Sequence, residues 1–474
     1  MNKLIILILT ISSMNAFAQK LDTLTVEKIM RDPKWIGVSP SNIHWSDDSR
    51  KVYFDWNPEN KDRDELFSAS PANYNPVKVS VEEKKALVPE RGEWNKKRTL
   101  KVYEKDGDIF LEETKTGKIS QLTYTTDRET NPAFSGDESR VIFKRGDNLF
   151  ALKLSGGELM QLTNFIKTTP GAASTQPAAR RGNRNNQSAT NEQERWLKNQ
   201  QLELFDIIKE KDKDRKLDSI DRKENEQKKI KELPIDDKLV SYLELSPDCR
   251  YVTYRLIKSP EGAKTAIVPD YVTVSGFTED IINRTKVGAP QSTFESFIFD
   301  TQQDTVYKVI TKDIPGIKDL PDYVKDYPKE LAELTKRNEE RKVIITGPYW
   351  SENGKNVVAV VNAADNKDRW IMKLDPATGA LSLLYREHNN AWVGGPGRNN
   401  LGWIDNVHFY FESEASGYAH IYVVDVSKGT VKQITNGNWE VQTLQLSNDK
   451  QSFYFSANTD HPGVTDFYRI PVTG

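Results

Sequence analysis

The 474-residue sequence predicts an all-β fold assembled from repeated four-stranded units, and three observations carry that prediction. Ten Trp, 18 Tyr and 18 Phe sit in short runs that alternate with polar residues, the pattern of half-buried strands rather than helices. One phrase, an aromatic or apolar residue, Ser, a polar turn and an alternating run, recurs as IHWSDDSRKVYFDW, PAFSGDESRVIFKR, LELSPDCRYVTYRL, PYWSENGKNVVAVV and LQLSNDKQSFYFSA. A second phrase joins two further strands through TKTGK, LSGGE, PATGA or VSKGT. Glycine in that turn supplies the positive φ that a tight hairpin requires.

Each pair of phrases makes four antiparallel strands, and the pair repeats about every forty to fifty residues, the signature of a β-propeller blade. Blades fall near 41–80, 98–123, 130–163, 242–311, 345–385, 401–436 and from 442 onward. Seven or eight blades are expected and about seven are present. The last has three strands and stops in the turn of FYRIPVTG, so the repeat predicts a missing fourth strand. Either the chain is truncated within the repeat, or an N-terminal segment such as KVSVEEKKALV donates the strand.

The first residues, MNKLIILILTISSMNAFAQ, combine Lys3, an apolar run from Leu4 to Ile11 and Ala16-Phe17-Ala18 before Gln19. The run is too short to span a bilayer and precedes a small-x-small cleavage pattern, so residues 1–18 read as a secretory signal. The expected location is periplasmic or secreted. No Cys follows the cleavage point closely enough to carry a lipid, so no membrane anchor is expected, and the single cysteine, Cys249, excludes an internal disulfide. Residues 19–474 are the propeller.

Two insertions interrupt it. Residues 170–234 begin with a stretch rich in Ala, Arg, Asn and Gln that predicts disorder, followed by a charged helix from about Asn191 to Lys231 with Trp196, Leu204, Ile207 and Ile208 as a narrow apolar stripe. Residues 313–342 include KELAELTKRNEERK, read as a helix after Pro328 that carries Glu339 and Glu340.

The 67 basic and 69 acidic residues leave a formal net charge of −2, so no overall field points to nucleic acid. No G-x-S-x-G elbow, phosphate loop or dinucleotide fingerprint appears, and the five scattered histidines lack metal-ligand spacing. No catalytic residue, metal or cofactor is expected in these residues. The most pointed polar cluster is FYFESEASGYAHIYVVD, where Glu412 and Glu414 stand two apart at a strand end and face one side. They read either as a carboxylate pair facing a cavity, ready for a cation, or as exposed residues closing a hairpin while His420 and Tyr422 pack in the blade. Arg369 in DRWIMKLD reads as structurally paired.

The stretches RWIMKLDPATGALSLLYREHNNAWV, LGWIDNVHFYFESEASGYAHIYVVD, ITNGNWEV and FYFSANTDHPGVTDFYRIPVTG resemble the propeller of the prolyl oligopeptidase family, dipeptidyl peptidase IV branch. The resemblance is weak before Leu239 and strong after Tyr349. It implies an N-terminal propeller that caps a C-terminal α/β-hydrolase domain with a Ser-Asp-His triad, a domain absent from this chain. It further implies a peptide substrate reached through that missing domain, a homodimer of the full-length protein, and acidic propeller residues that hold the substrate's amino terminus. Glu339 and Glu340 are the adjacent pair in a comparable place, though their surroundings do not match the family's motif. A stand-alone exported propeller that binds proteins or ligands is the alternative.

Overall fold

Four strands per unit is what the recurring phrases produce, and the reason lies in their serines. In five hairpins the turn Ser hydroxyl donates to Asp or Asn two residues on, as Ser135 to Asp137 at 2.6 Å and Ser351 to Asn353 at 3.0 Å, with Ser46, Ser246 and Ser447 alike. The same oxygen accepts the backbone N–H five residues later, from Lys51, Arg140, Tyr251, Asn356 and Ser452. The residue between, at Ser+3, always has positive φ: Ser49, Glu138, Cys249, Gly354 and Lys450. The side chain thus supplies the turn's hydrogen bonds and sets where the second strand starts.

The structure, a computed structural model, describes residues 25–30, 38–59, 61–167, 192–225 and 229–474. The predicted signal at 1–18 and most of the stretch expected to be disordered lie outside these residues. Two compact units divide the chain, residues 1–92 with 113–118 and residues 93–112 with 119–474. The fold is all-β, its seven antiparallel sheets in a propeller-blade arrangement.

Sheet 1 is β1 (Ser41–Trp45), β2 (Val52–Trp56), β3 (Glu65–Ser70) and β4 (Asn73–Lys78). Sheet 2 is β5 (Glu93–Trp94), β6 (Leu100–Lys105), β7 (Asp108–Glu113) and β8 (Lys118–Gln121), and sheet 3 is β9 (Glu129–Phe134), β10 (Arg140–Arg145), β11 (Asn148–Lys153) and β12 (Leu159–Gln161). A short parallel pair, β13 (Asn164–Ile166) and β14 (Glu232–Pro234), brackets the first insertion. Sheet 4 is β15 (Leu239–Leu245), β16 (Tyr251–Lys258), β19 (Thr293–Asp300) and β20 (Thr305–Lys308), with a separate ribbon of β17 (Thr265–Asp270) and β18 (Glu279–Thr285) between β16 and β19. Sheet 5 is β21 (Val343–Trp350), β22 (Val357–Ala363), β23 (Asp368–Leu374) and β24 (Leu381–His388). Sheet 6 is β25 (Leu401–Trp403), β26 (His408–Ser413), β27 (His420–Asp425) and β28 (Thr430–Gln433), and sheet 7 has three strands, β29 (Val441–Leu446), β30 (Ser452–His461) and β31 (Val464–Pro471).

The core of the second unit is a series of seams between consecutive sheets. Val102 and Ile109 of sheet 2 pack on Val141 and Phe143 of sheet 3, and Leu149 and Ala151 of sheet 3 share a cluster with Val252, Leu256 and Phe299 of sheet 4. Trp370 and Met372 of sheet 5 meet Tyr251 and Ile298 of sheet 4, Ile371 meets Phe409 and Phe411 of sheet 6, and Ile421 meets Phe453 and Phe455 of sheet 7. An interior sheet therefore buries both faces, one against each neighbour, as sheet 5 does with Trp370 and Met372 toward sheet 4 and Ile371 toward sheet 6.

Two expectations need correction. The stretch KVSVEEKKALV is not a strand donor to sheet 7: Lys78 ends β4 within sheet 1, and Val81–Ala86 forms helix α1. Ser80 caps that helix by accepting the Glu83 N–H at 3.1 Å, the S-x-x-E box that sequence alone presents. Helix α2 (Glu192–Asn225) forms in the first insertion with Trp196, Leu204 and Ile207 exposed. In the second insertion helix α3 (Pro328–Arg337) ends before Glu339, because Asn338 takes the left-handed cap conformation at φ 49°. No helix among the described residues is long and apolar enough to cross a membrane.

Candidate functional site

The first strand of four sheets carries a bulge at one fixed place. Register shifts fall between Ser41 and His44 on β1, opposite Ile142 and Lys144 on β9, between Ser241 and Glu244 on β15, and between Thr346 and Tyr349 on β21. The residue four before the turn Ser has positive φ in each: Asn42, Asn131, Tyr242 and Gly347. A bulge bends the strand and re-aims its side chains. Asn and Gly tolerate this conformation, whereas Tyr242 at φ 48° is a bulky residue held where few are found.

In the second unit these bulged strands line a cavity of about 1000 Å³. Its walls come from the first strands of sheets 2 to 6 and carry Trp94, Tyr242, Tyr349, Trp350 and Trp403, with Glu93 on β5 and Glu244 on β15. The guanidinium of Arg255 lies 4.1 Å from the ring centre of Tyr242 and is fixed by the Ile345 carbonyl at 3.1 Å. Lys144 also lines the wall, while three other wall charges are engaged: the Lys96 backbone N–H donates to Glu138 at 2.6 Å, and Lys96 and Lys450 both approach Glu352. Glu93 accepts only the Phe134 N–H at 3.1 Å, and Glu244 has no side-chain partner among the described residues. Although its side chain is open to the cavity, the surrounding protein pushes the Glu244 carboxyl up to about 7. The same desolvation raises Glu93.

Glu412 and Glu414 belong to a second place, where sheets 5 and 6 meet. Glu412 is 1% exposed on β26, which overturns the reading of it as an exposed hairpin residue. Its Oε1 accepts the Asn400 amide at 2.8 Å and its Oε2 is buried without a partner. Burial pushes this carboxyl up to about 7, with the Asn400 bond and Arg369 offsetting part of the shift. Arg369, 2% exposed, donates to the backbone carbonyls of Glu412 at 2.7 Å and Arg398 at 2.8 Å and lies 3.9 Å from Glu387. It is structurally paired, and His420 and Tyr422 are buried in the sheet.

Glu414 sits one residue beyond β26, half-buried, its backbone N–H donating to Glu387 at 2.8 Å. Desolvation and the like charges of Glu387 and Glu440 raise its carboxyl. Both glutamates face one loop: a Cβ on Gly395 would lie 2.4 Å from the Glu414 carboxyl carbon, and one on Gly397 would lie 1.6 Å from Glu412 Oε2. Both glycines also hold positive φ, 89° and 77°, so a side chain at either would be strained and would displace the carboxylate.

Glu339 and Glu340 are exposed beyond the end of α3, and Glu340 accepts the Thr311 hydroxyl at 3.4 Å. Neither lines the cavity. The structure brings Glu412 and Glu414 together and leaves the other pair apart. Sequence reasoning missed Glu93, Tyr242 and Glu244. Aligning the repeats on their turn Ser exposes two of them: Ser−2 holds His44, Ala133, Glu244, Tyr349 and Gln445, and Ser−4 holds Tyr242 where two other sheets have Asn.

Residues 262–474 match the family model described as the dipeptidyl peptidase IV (DPP IV) N-terminal region. Residues 262–474 are thus similar to a dipeptidyl peptidase IV N-terminal region. That region starts within sheet 4 and takes in the Glu412 cluster, while much of the cavity wall precedes it. The chain is 24% identical over 136 residues to dipeptidyl peptidase 4 of Trichophyton rubrum and 23% identical over 136 residues to that of Arthroderma otae. Each match covers 28% of this chain and 18% of the relative. The crystal structure of Porphyromonas gingivalis dipeptidyl peptidase 4 shares the fold, with a TM-score of 0.51 at 14% identity, over 96% of this chain and 55% of that one. The chain thus spans about half the length of the solved protein and less than a fifth of the curated relatives it matches.

Proposed function

We propose that this dipeptidyl peptidase IV N-terminal region is the substrate-gating part of an exported serine exopeptidase that removes short peptides from amino termini. The match of residues 262–474 to the family carries the reading. In this reading an α/β-hydrolase domain outside these residues supplies the Ser-Asp-His triad, and the cavity walled by five first strands limits what reaches it. Of the four carboxylates singled out from sequence, Glu414 is the best supported for meeting a substrate ammonium. It is partly open and sits among like charges, so a cation would relieve it. Glu412 is enclosed beneath the glycine loop and supports that loop's shape.

Export follows from the signal at residues 1–18 and predicts a mature N-terminus at Gln19, checked by N-terminal sequencing of the periplasmic or secreted product. A homodimer of the full-length protein is supported by the β17–β18 ribbon, whose Tyr271, Val272, Val274 and Phe277 are exposed at its tip with Ile267 and Ile282 behind them. Replacing Val274 and Phe277 by Asp is expected to give monomers by sedimentation velocity.

The deciding experiment compares the 474-residue chain with the product of the gene read onward, using dipeptidyl p-nitroanilides with free and acetylated amino termini. The chain alone should be inactive. The longer product should cleave only the free substrates and be inactivated by a fluorophosphonate. If it cleaves neither, the peptidase reading fails and a stand-alone binding propeller remains.

A further inference from the structure

We propose that the cavity among the first strands is a binding site for a cationic group of a peptide, an ammonium or guanidinium, drawn by Glu244 and Glu93 and flanked by the rings of Tyr242, Trp94 and Tyr349. A space of about 1000 Å³ admits a short peptide segment. Its unengaged wall charges are those two carboxylates and Lys144, since Lys96, Glu138 and Glu352 bond among themselves or to Lys450. These leave one more carboxylate than cation among the unengaged wall charges. A ring presents its negative face to a cation, as Trp94 already does to Arg98 and Lys101 at 5.2 Å and Tyr242 to Arg255 at 4.1 Å.

Tyr242 is the second observation. It holds a backbone conformation that equivalent positions give to Asn42, Asn131 and Gly347, and that strain persists only where the surroundings enforce it. Arg255 occupies one face of the ring, fixed by Ser241 and the Ile345 carbonyl, and turns the ring into a rigid wall. Glu244, on the same bulged strand, has no protein partner, and an entering cation would supply one.

This inference rests on the cavity being a path for peptides, but its test needs no hydrolase. Isothermal titration of the 474-residue chain at pH 8 and low salt would use four tripeptides. Ac-Ala-Lys-Ala-NH2 carries a side-chain ammonium, Ala-Ala-Ala-NH2 a terminal one, Ac-Ala-Ala-Ala-NH2 none, and Ac-Ala-Glu-Ala-NH2 a negative charge. The first should bind about tenfold tighter than the third, and the last weakest. Glu244→Gln should erase that preference and Glu93→Gln reduce it, both with an unchanged melting temperature. If the terminal ammonium binds as well as the side chain, and loses as much with Glu244→Gln, the site reads charge from either source. Equal binding of all four peptides, or a preference that survives Glu244→Gln, overturns the proposal. Cation-selective binding without hydrolysis by the longer gene product would remove the peptidase reading and leave this site standing.

Discussion

Glu412 binds its proton more tightly in the folded chain than an ordinary glutamate does, because burial outweighs the Asn400 amide and the Arg369 charge that favour its ionised form. A carboxyl raised from 4.5 to about 7 contributes stability that is fully present below pH 4.5 and is lost as pH rises through 7. The loss reaches about 3 kcal/mol by linkage, less whatever local relaxation recovers. Glu412→Gln, which is neutral at every pH, should flatten the difference in urea midpoint between pH 5 and pH 8. Tyr242→Asn places at the bulge the residue that sheets 1 and 3 already use, so it should leave the melting temperature nearly unchanged while weakening binding of the lysine peptide. Little of this was legible in the sequence. The phrase ESEASGYAH looks like a solvated hairpin, and the glycines that cover Glu412 lie in a loop far enough upstream that no periodicity links them to it.

At the scale of the hairpin, the Ser-x-Asp turn makes two opposite expectations. Ser246 is buried, donates to Asp248 and accepts the Tyr251 N–H at 2.8 Å, so Ser246→Ala leaves that N–H unmet and should cost about 1–3 kcal/mol. Lys450 holds the positive φ of its turn with an exposed side chain, so Lys450→Gly should stabilise by about 0.5–1 kcal/mol, read as a shift in denaturation midpoint. Hairpins of this kind were legible, because Ser, Asp and Gly recur at set distances and each has a local reason to be there. Gly117, Gly157, Gly379 and Gly429 all have the positive φ that the second phrase requires. The bulges were not legible, since a left-handed Tyr follows from no local preference. The end of α3 was misread for a similar reason: the helix-forming composition continues past Arg337, but Asn338 caps it.

At the largest scale, the stability of the second unit is distributed over seams between consecutive sheets rather than one centre. Trp370 is fully buried in the seam of sheets 4 and 5, and its indole N–H donates to the Pro315 carbonyl at 2.9 Å. Trp370→Ala should cost about 3–5 kcal/mol and make residues 313–342 the first site cut in limited proteolysis, because the same side chain ties that insertion down. The blade arrangement was legible from the period of the phrases, including the three-stranded seventh sheet. The cavity was not, because its walls come from five strands spread between Glu93 and Trp403, and no single strand announces a shared space.

The bulge four residues ahead of the turn serine in four of the five hairpins also makes those segments interchangeable parts. Exchanging Tyr242 through Leu245 for the Gly347 through Trp350 segment would alter bore and charge in one step while the hairpin beyond it keeps its own hydrogen bonds. A small combinatorial set of such swaps would retune the shape and charge of the cavity without redesigning the outer surface.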